Sequence, residues 1–319
     1  MNAAILHTLG QPPRYGTFED PVAGDGEVLV TMRAAGIHPI VRAIASGKHY
    51  SRIPQVPFVP GIDGVGVRAD GTRVYCGFAR SPFGTLAEKT VVPAAMCVPL
   101  PDDIDDATAA AIGNPGMSAW LSLTWKAKVV AGETVLILGA TGAAGHLAVR
   151  FAKTLGAARV IACGRNPQAL DHLKTLGADA VISLDQTTES LVAAFAAETP
   201  KVDAVIDYLW GEPTQALLSA LAKDPMRPDG RRVRLVDVGE SAGPTVTLPA
   251  SLLRGAGLEI SGSGIGSASL TQIMQALPAF FHAAAAGSVS SRYELVPLAG
   301  IEDAWARGDK AGRLVVKIS

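Results

Sequence analysis

The sequence has few cysteines and no surplus of charge of either sign. Its 3 cysteines, Cys76, Cys97 and Cys163, are too scattered to indicate a disulfide framework or a metal-binding knuckle, and reducing conditions suit them best. The 28 basic and 29 acidic residues give a formal net charge of -1, which leaves no electrostatic attraction for phosphate backbones or anionic lipid. We therefore expect neither nucleic acid nor a membrane among its partners.

Long hydrophobic runs are missing as well. No stretch of about 18 apolar residues predicts a membrane span, and the N-terminal segment lacks the basic start, apolar run and small-residue cleavage site of an export signal. The chain does have 48% hydrophobic residues, 18% charged residues and 34 glycines, a composition that excludes a disordered chain and is typical of folded proteins with many tight turns. We expect a soluble, cytoplasmic protein of two domains, because 319 residues is long for one.

The sequence pattern changes near residue 115. Before it, short β-rich segments such as 27–33 and 90–93 alternate with Pro and Gly turns, which predicts a small irregular β-barrel. After it, apolar β-branched runs alternate with alanine-rich stretches, the pattern of βαβ units around a buried parallel sheet. The six strands predicted for this doubly wound sheet are 134–138, 159–162, 180–183, 202–207, 232–238 and 258–261. A helix is predicted at 270–286 and a last strand at 313–318.

A glycine-rich turn follows the first of these strands and opens directly into a helix, in TVLILGATGAAGHLAVR. Glycines permit the tight turn, the close approach of a ligand and the packing of the helix on the strand. Free N–H groups at the helix start, with the positive end of the helix dipole, can hold a pyrophosphate without a charged side chain. The predicted dinucleotide cradle is Ala140, Thr141, Gly142, Ala143, Ala144 and Gly145. The alternative is a tight turn that holds no ligand.

The end of the second strand indicates which dinucleotide is bound. An NAD site has Asp or Glu there to accept from the ribose 2′-hydroxyl. Here the sequence reads ACGRN: Gly164 leaves room and Arg165 offers a guanidinium to a 2′-phosphate, so NADPH is favoured over NADH. Asn166 opens a helix whose N–H groups add to the same phosphate site. The alternative is a solvated surface arginine.

Several further segments resemble one protein family. They include AAGIHPIVRAIASG, VPGIDGVG, GNPGMSAW, VIDYLWG, LVDVGESAG, LEISGSG and the terminal AGRLVVK, together with GATGAAG of the cradle. With them, nearly the whole chain resembles the medium-chain dehydrogenase/reductase superfamily, and within it the zinc-independent quinone oxidoreductase branch. The resemblance implies a GroES-like catalytic domain, a Rossmann domain with the nicotinamide bound between the two, and a homodimer joined along the edge strand at 258–263.

The expected fold class is therefore α/β, with a GroES-like irregular β-barrel catalytic domain and a six-stranded doubly wound Rossmann domain. We predict the N-terminal part of the catalytic domain at 1–115 and the NADPH-binding domain at 116–262. A return segment at 263–319 is expected to complete the catalytic domain.

The resemblance implies no metal site, because this chain lacks the residues that bind zinc in the alcohol dehydrogenase branch. The alcohol dehydrogenase branch of the superfamily holds zinc with a cysteine and a Gly-His-Glu pattern. Here His38 occupies the place of the cysteine, Gly61-Ile62-Asp63 replaces Gly-His-Glu, and no cysteine cluster follows. A zinc at His38 and Asp63 would lack ligands, so we expect none.

Two side chains are candidates for proton transfer. His38 occupies the place where quinone reductases of the family usually carry asparagine, so the resemblance implies a titratable ring in the substrate pocket. The alternative is a neutral histidine satisfied by a backbone carbonyl. Tyr50 belongs to a predicted loop near the mouth of this pocket, with an exposed surface residue as the alternative. The acid and tyrosine that the family carries after this position are replaced by Val41 and Ala43.

The resemblance also assigns residues to the nicotinamide end of the cofactor. Asn114 and Ser118 match positions that touch nicotinamide or ribose in the family; the alternative is that they cap a helix. Ligands of such sheets bind at the carboxyl ends of the strands. Residues at two later strand ends resemble segments that line the nicotinamide: Val238, Gly239, Glu240, Gly262 and Ser263.

The leading hypothesis is an NADPH-dependent reductase of quinones or α,β-unsaturated carbonyl compounds. Such an acceptor delocalises the incoming negative charge itself, whereas an alcohol/aldehyde couple needs a Lewis acid or a positioned general acid. The alternative is a noncatalytic NADPH-binding protein, crystallin-like or regulatory, which the substitutions at Val41 and Ala43 favour.

Overall fold

The structure is a computed structural model that describes residues 1–49, 54–223, 230, 232–264, 266–286, 293–308 and 312–319. The chain divides into two units, which we call unit 1 (Met1–Met117 with Leu270–Ser319) and unit 2 (Ser118–Ser269). The sequence placed the limits of the second domain at residues 116 and 262.

The described residues form fifteen strands and nine α-helices. The strands are β1 (Asn2–Ile5), β2 (Arg14–Thr17), β3 (Glu27–Gly36), β4 (Asp63–Arg68), β5 (Arg73–Gly77), β6 (Lys89–Pro93), β7 (Cys97–Pro99), β8 (Thr134–Leu138), β9 (Arg159–Gly164), β10 (Ala180–Ser183), β11 (Ala204–Asp207), β12 (Val233–Asp237), β13 (Leu258–Gly262), β14 (Tyr293–Pro297) and β15 (Arg313–Lys317). The helices are α1 (Pro39–Ala45), α2 (Asp106–Leu121), α3 (Ala143–Thr154), α4 (Pro167–Thr175), α5 (Thr188–Glu198), α6 (Gly211–Lys223), α7 (Ala250–Gly255), α8 (Leu270–Ala286) and α9 (Ile301–Arg307). None of the helices in the described part of the chain has the length and apolar character that a membrane crossing requires.

Strand β3 organises the sheet of unit 1. Its sequence EVLVTMRAAG alternates in polarity, and the inward-facing Val30 and Met32 are fully buried. β3 pairs antiparallel with β4, β6 and β15, and the sheet runs β14-β15-β3-β4-β5-β7 with β6 on β3. The strands predicted at 27–33 and 90–93 are confirmed as parts of β3 and β6. The strand predicted at 313–318 forms as β15 and pairs with β3 in unit 1.

Unit 2 holds a fully parallel sheet in the order β10-β9-β8-β11-β12-β13. All residues of β8 are buried, as expected for a strand covered on both faces. Its core includes Leu136, Phe195, Leu217 and Leu235. The six predicted strands and the doubly wound order are confirmed. The chain reverses its direction across the sheet between β8 and β11, and ligands of such sheets bind at this reversal, beyond the carboxyl ends of the strands.

Candidate functional site

Backbone hydrogen bonds hold the turn after β8. Gly139 adopts the left-handed conformation with φ +81 and donates to the carbonyl of Cys163 at 3.0 Å, and Ala140 donates to the same carbonyl at 2.9 Å. Gly142 donates to the carbonyl of Gly139 at 3.0 Å. Since Cys163 lies in β9, these bonds tie the predicted cradle to the next strand.

The start of α3 has no capping side chain. Gly142 is the N-cap residue, and its extended backbone leads into the helix without a side-chain hydrogen bond. The first donor to a helical carbonyl is the N–H of His146, which bonds to Gly142 at 2.8 Å. The N–H groups of Ala143, Ala144 and Gly145 have no hydrogen-bond partner in the described structure. Unpartnered donors at the positive end of a helix dipole suit an anion, which is the role that the sequence predicts for this turn.

Gly145 is required by the geometry of this turn. A Cβ on Gly145 would lie 2.3 Å from the carbonyl oxygen of Gly139 and 2.6 Å from Cα of Ala140. Both contacts are with backbone, which cannot rotate away. A Cβ on Gly142 would lie 3.3 Å from the same oxygen, with no other heavy atom of another residue close by. Gly145 thus permits the close approach of α3 to the end of β8.

The end of β9 lies beside the cradle, as the sequence predicted for neighbouring strands. A Cβ on Gly164 would lie 2.4 Å from Cγ2 of Thr141, so the absence of a side chain makes room for the threonine. Arg165 is exposed and forms no ion pair among the described residues. Asn166 is the N-cap of α4, and its Oδ1 accepts from the N–H of Ala169 at 2.9 Å. This amide oxygen is therefore already occupied by the helix.

Sequence reasoning missed a histidine that directly follows the cradle. The ring centroid of His146 lies 5.8 Å from that of His172 on α4. Burial, followed by the charges of His172 and Arg150, lowers the pKa of His146 to about 4. His146 is therefore neutral at physiological pH and adds no charge to the anion site. The sequence signal was its place immediately after Gly145, but its burial depends on the packing of α3 against α4.

The residues predicted to line the nicotinamide lie at the carboxyl ends of β12 and β13. They are Val238, Gly239, Glu240, Gly262 and Ser263. The register pairs Asp207 with Asp237, and Asp237 with Gly262. The N–H of Val238 donates to the carbonyl of Asp207 at 2.7 Å, and the N–H of Ser263 donates to that of Asp237 at 2.7 Å. These two N–H groups serve the sheet, so Val238 and Ser263 offer a ligand only their carbonyl and side-chain atoms.

Gly239 and Glu240 continue from the end of β12. A Cβ on Gly239 would lie 3.2 Å from the carbonyl oxygen of Tyr208, so the glycine follows that backbone closely, and Glu240 is exposed. No heavy atom of another residue lies within 4 Å of a Cβ placed on Gly262. This edge of the sheet is therefore lined by short side chains and backbone.

Two carboxyl groups at this edge differ in their surroundings. Asp207 accepts from the N–H groups of Leu209 and Trp210 at 2.8 and 3.0 Å and from Thr214 Oγ1 at 2.5 Å. Its pKa is nevertheless raised, because burial outweighs these bonds. Burial and the charge of Asp207 raise the pKa of Asp237 to about 6. Asp207 thus holds the turn after β11 and the start of α6, which is a structural role, whereas no sequence pattern singled out Asp237.

In unit 1, three polar side chains from different elements meet in the interior. His38 precedes α1, and its ring is fully buried with Nε2 at 3.3 Å from Oδ1 of Asp63, the first residue of β4. Tyr75 of β5 donates to the other carboxylate oxygen, Oδ2, at 2.5 Å. We call these residues the His–Asp–Tyr cluster. No backbone carbonyl among the described residues bonds to either ring nitrogen of His38, so the alternative of a carbonyl-satisfied histidine is wrong.

The cluster does not complete a metal site. Within the described ranges, no group of three or more His, Cys, Asp and Glu side chains is arranged to hold a metal ion. His38 and Asp63 provide two such groups, and the third member of the cluster is a tyrosine.

Asn114 and Ser118 lie inside α2 rather than at its start. The helix begins at Asp106, and Asp105 caps it by accepting from the N–H of Thr108 at 2.8 Å. The alternative that Asn114 and Ser118 cap a helix is therefore wrong. Asn114 belongs to unit 1 and Ser118 is the first residue of unit 2. Tyr50 lies outside the described residues.

Comparisons with known proteins agree with this arrangement. The family model described as alcohol dehydrogenase GroES-like domain matches residues 24–102, and the one described as zinc-binding dehydrogenase matches residues 143–279. Among curated proteins, the probable NADPH-dependent quinone reductase tdiC of Emericella nidulans is 28% identical over 99% of both chains. Human quinone oxidoreductase is 36% identical, over 49% of this chain and 50% of its own length.

Solved structures show the same fold over the full length. The quinone oxidoreductase from Thermus thermophilus, whose structures include a complex with NADPH, is 27% identical with a TM-score of 0.81, and the match covers 100% of both chains. A mycobacterial quinone oxidoreductase is 24% identical with a TM-score of 0.84 over 100% of both chains. The family model for the GroES-like domain matches the N-terminal part of unit 1, and the zinc-binding dehydrogenase model matches most of unit 2. This chain accordingly belongs to the medium-chain dehydrogenase/reductase superfamily and is quinone oxidoreductase-like, as its sequence motifs indicated.

Proposed function

We propose that the protein is an NADPH-dependent oxidoreductase that reduces quinones or α,β-unsaturated carbonyl compounds without a catalytic metal. The observation that carries the proposal is the uncapped start of α3, with three unpartnered N–H groups, beside the exposed Arg165 at the end of β9. This combination suits a pyrophosphate and a 2′-phosphate. The names of the Emericella and Thermus proteins support the same cofactor.

The pyrophosphate and the 2′-phosphate of the cofactor each have a matching group on this chain. The N–H groups of Ala143, Ala144 and Gly145 would bind the pyrophosphate, and the guanidinium of Arg165 would bind the 2′-phosphate. Gly164, which lacks a Cβ, makes room for Thr141 of the cradle. When bound, NADPH supplies a hydride to the acceptor.

The chain's own contribution to the chemistry is a proton. Reduction of a quinone or an enone develops negative charge on an oxygen, and a histidine that donates a proton to this oxygen stabilises the product. We propose His38 for this role. His38 and Asp63 do not match the donor set of a catalytic zinc, which needs three protein ligands and an open position. A conjugated acceptor spreads the charge over its own π-system, so it suits such a site.

The decisive test is turnover of NADPH with a panel of quinones and enones. Steady NADPH oxidation that depends on the acceptor supports the proposal. NADPH binding, measured by the fluorescence of the reduced nicotinamide, without turnover of any acceptor would favour the noncatalytic alternative.

The first prediction concerns cofactor preference. Arg165→Ala should weaken NADPH binding about 30-fold, or about 2 kcal/mol, and leave NADH binding nearly unchanged, because the lost guanidinium contacts the 2′-phosphate alone. Titration calorimetry with both dinucleotides measures the difference. Arg254→Ala, which removes another exposed arginine of unit 2, is the matched control. Equal losses for the two dinucleotides would refute the assignment of Arg165.

The second prediction concerns assembly. β13 is the last strand of the unit 2 sheet, and one of its edges has no strand partner among the described residues. An open edge invites pairing with another strand, so we propose a homodimer in which two copies of β13 pair about a twofold axis. Small-angle scattering should give twice the 32.9 kDa of one chain.

A pair of variants on opposite edges makes the dimer test specific. Ile260→Lys adds a charge to β13, and twofold symmetry would bring two such charges near each other, so this variant should be monomeric. Val181→Lys makes the same change on β10, at the opposite edge of the sheet, and should remain dimeric. A monomer mass that stays constant with concentration in the unmodified protein would contradict the proposed dimer.

A further inference from the structure

Within the His–Asp–Tyr cluster, the ring of His38 and Oδ1 of Asp63 face each other. Oδ1 of Asp63 and both ring nitrogens of His38 have no hydrogen-bond partner in the described structure, although all are buried. Burying a carboxylate oxygen or a ring nitrogen without a partner is unfavourable. The 3.3 Å between Nε2 and Oδ1 is an ion-pair distance, and hydrogen bonds used in catalysis are often long or poorly aligned before the substrate binds. A small rotation of the ring would pair them.

The backbone beside the ring restricts how His38 can turn. A Cβ on Gly36 would lie 2.4 Å from Nε2 and 2.6 Å from Cε1 of His38, so the ring packs directly on the backbone of the glycine. Gly36 is the last residue of β3, two positions before the histidine. The ring is therefore held with its Nε2 edge towards Asp63.

Tyr75 occupies the second oxygen of Asp63. Its ring packs against Phe281 with centroids 5.0 Å apart, and a Cβ on Gly113 would lie 2.2 Å from Cε2 of the tyrosine. Burial, followed by the charge of Asp63, raises the pKa of Tyr75 well above its usual value. The hydroxyl thus keeps its proton and remains a donor to Oδ2, which leaves Oδ1 for the histidine.

We propose that Asp63 and Tyr75 are positioning residues that keep a proton on Nε2 of His38, so that Nδ1 is the nitrogen that exchanges a proton with the acceptor. A carboxylate accepts but does not donate, so Nε2 must carry a proton for the pair to attract. Asp63 also stabilises the doubly protonated ring. The inference rests on the proposed function, since it specifies how the proposed proton donor works.

The proton balance follows from this arrangement. The doubly protonated ring gives its Nδ1 proton to the oxygen of the reduced acceptor, the N–H bond breaks and an O–H bond forms. The ring remains neutral with its proton on Nε2, and Nδ1, which is buried in the structure, regains a proton from water that enters after the product leaves. In this scheme Asp63 orients the ring and does not itself carry the transferred proton, as holds for the carboxylate beside a catalytic histidine in other enzymes.

Nitrogen NMR on the full-length protein tests the proton position directly. With nitrogen-15-labelled histidine, the signals absent from His38→Gln identify the ring among the 6 histidines. We expect the neutral ring to carry its proton on Nε2 and none on Nδ1. In Asp63→Asn, whose amide can donate to Nε2, the proton should move to Nδ1. A neutral ring protonated on Nδ1 in the unmodified protein would overturn the proposal, and this measurement needs no Asp63 variant.

Kinetics separate positioning from a merely structural role. Asp63→Asn should lower kcat for a quinone about tenfold with the KM for NADPH unchanged, and Tyr75→Phe should have a smaller effect in the same direction. In a His38→Ala background, neither change should reduce kcat further, because both act through the ring. An equal loss with and without His38 would overturn the proposal.

Thr90→Val is the matched control for these variants. Thr90 Oγ1 is also buried in unit 1 without a hydrogen-bond partner in the described structure, and Thr90 is not part of the cluster. Its replacement should leave kcat unchanged. If the protein binds NADPH but reduces no acceptor, the proposed function fails, while the NMR spectrum still decides whether Asp63 sets the position of the proton.

Discussion

Gly145→Ala is expected to raise the dissociation constant for NADPH by about 100-fold or more. The added Cβ would meet the carbonyl oxygen of Gly139 at 2.3 Å and Cα of Ala140 at 2.6 Å. Neither atom belongs to a flexible side chain, so the start of α3 must move away from the end of β8. The N–H groups of Ala143 and Ala144 move with it, and an anion site built from fixed backbone dipoles loses its geometry. Titration calorimetry with NADPH measures the loss.

The same substitution is expected to destabilise unit 2. Overpacking in a rigid region costs about 1–3 kcal/mol, and a contact with two backbone atoms belongs at the upper end. Gly142→Ala is the control within the same turn, because its Cβ would lie 3.3 Å from the same oxygen and its φ of -79 suits alanine. Gly142→Ala should lower the urea midpoint only slightly and change NADPH affinity a few-fold at most. NADPH binding equal in Gly145→Ala and the unmodified protein would show that the cradle does not hold the cofactor.

The sheet of unit 2 was predictable because its signals are local. Each strand is an apolar run between turn residues, and β8 in particular is buried along its whole length. The turn between β8 and α3 was predictable for the same reason, since strand, glycines and helix follow one another in the chain. The start of α2 was not predicted, although Asp105 followed by Thr108 at the third position is a helix-capping signal. The sequence placed a domain boundary near residue 115, but α2 continues through Gly113 and Pro115.

The His–Asp–Tyr cluster shows what a sequence alone does not reveal. The sequence analysis singled out His38 and Asp63 but not Tyr75, and nothing local indicates that the tyrosine meets them. Their contact depends on the antiparallel pairing of β3 with β4 and of β4 with β5, which brings distant segments into register. Long-range pairing of this kind is decided by the burial of whole strands. Burial contributes most to the raised pKa of Asp237, and the charge of Asp207, which the register of β11 and β12 brings beside it, adds to the rise.

Arg165 and the start of α3 predict the orientation of the cofactor in the proposed site. The 2′-phosphate would lie at Arg165, and the pyrophosphate would lie at the N–H groups of α3. The guanidinium lies at the end of β9, and the unpartnered N–H groups lie at the start of α3. The pKa of His146 is lowered to about 4, so its ring is uncharged near neutral pH and does not attract the 2′-phosphate. Positive charge at this edge is thus confined to Arg165 among these residues. Binding of the 2′-phosphate should therefore depend on that one side chain.

His38→Ala is expected to lower kcat/KM for a quinone by about 100-fold or more and to change NADPH affinity little. A positioned general acid contributes about 10²–10⁴-fold to a rate, and the substitution removes the ring that would give its proton to the acceptor oxygen. His38→Asn should retain more activity than His38→Ala, because its amide still donates a hydrogen bond to the developing charge, although it supplies no proton. Circular dichroism melting of both variants shows whether unit 1 remains folded.

The pH dependence distinguishes a proton donor from a residue that only packs. If His38 gives the proton, activity of the unmodified protein should depend on pH, and this dependence should be absent from both variants. Rates measured from pH 5.5 to 8.5 span about one to two units on either side of the reference value for histidine. If both variants reduce quinones like the unmodified protein across this range, His38 only fills space beside Gly36 and Asp63, and solvent supplies the proton. That result would remove the need for the cluster in catalysis while leaving the cofactor site on unit 2 unaffected, because the two sets of residues belong to different units.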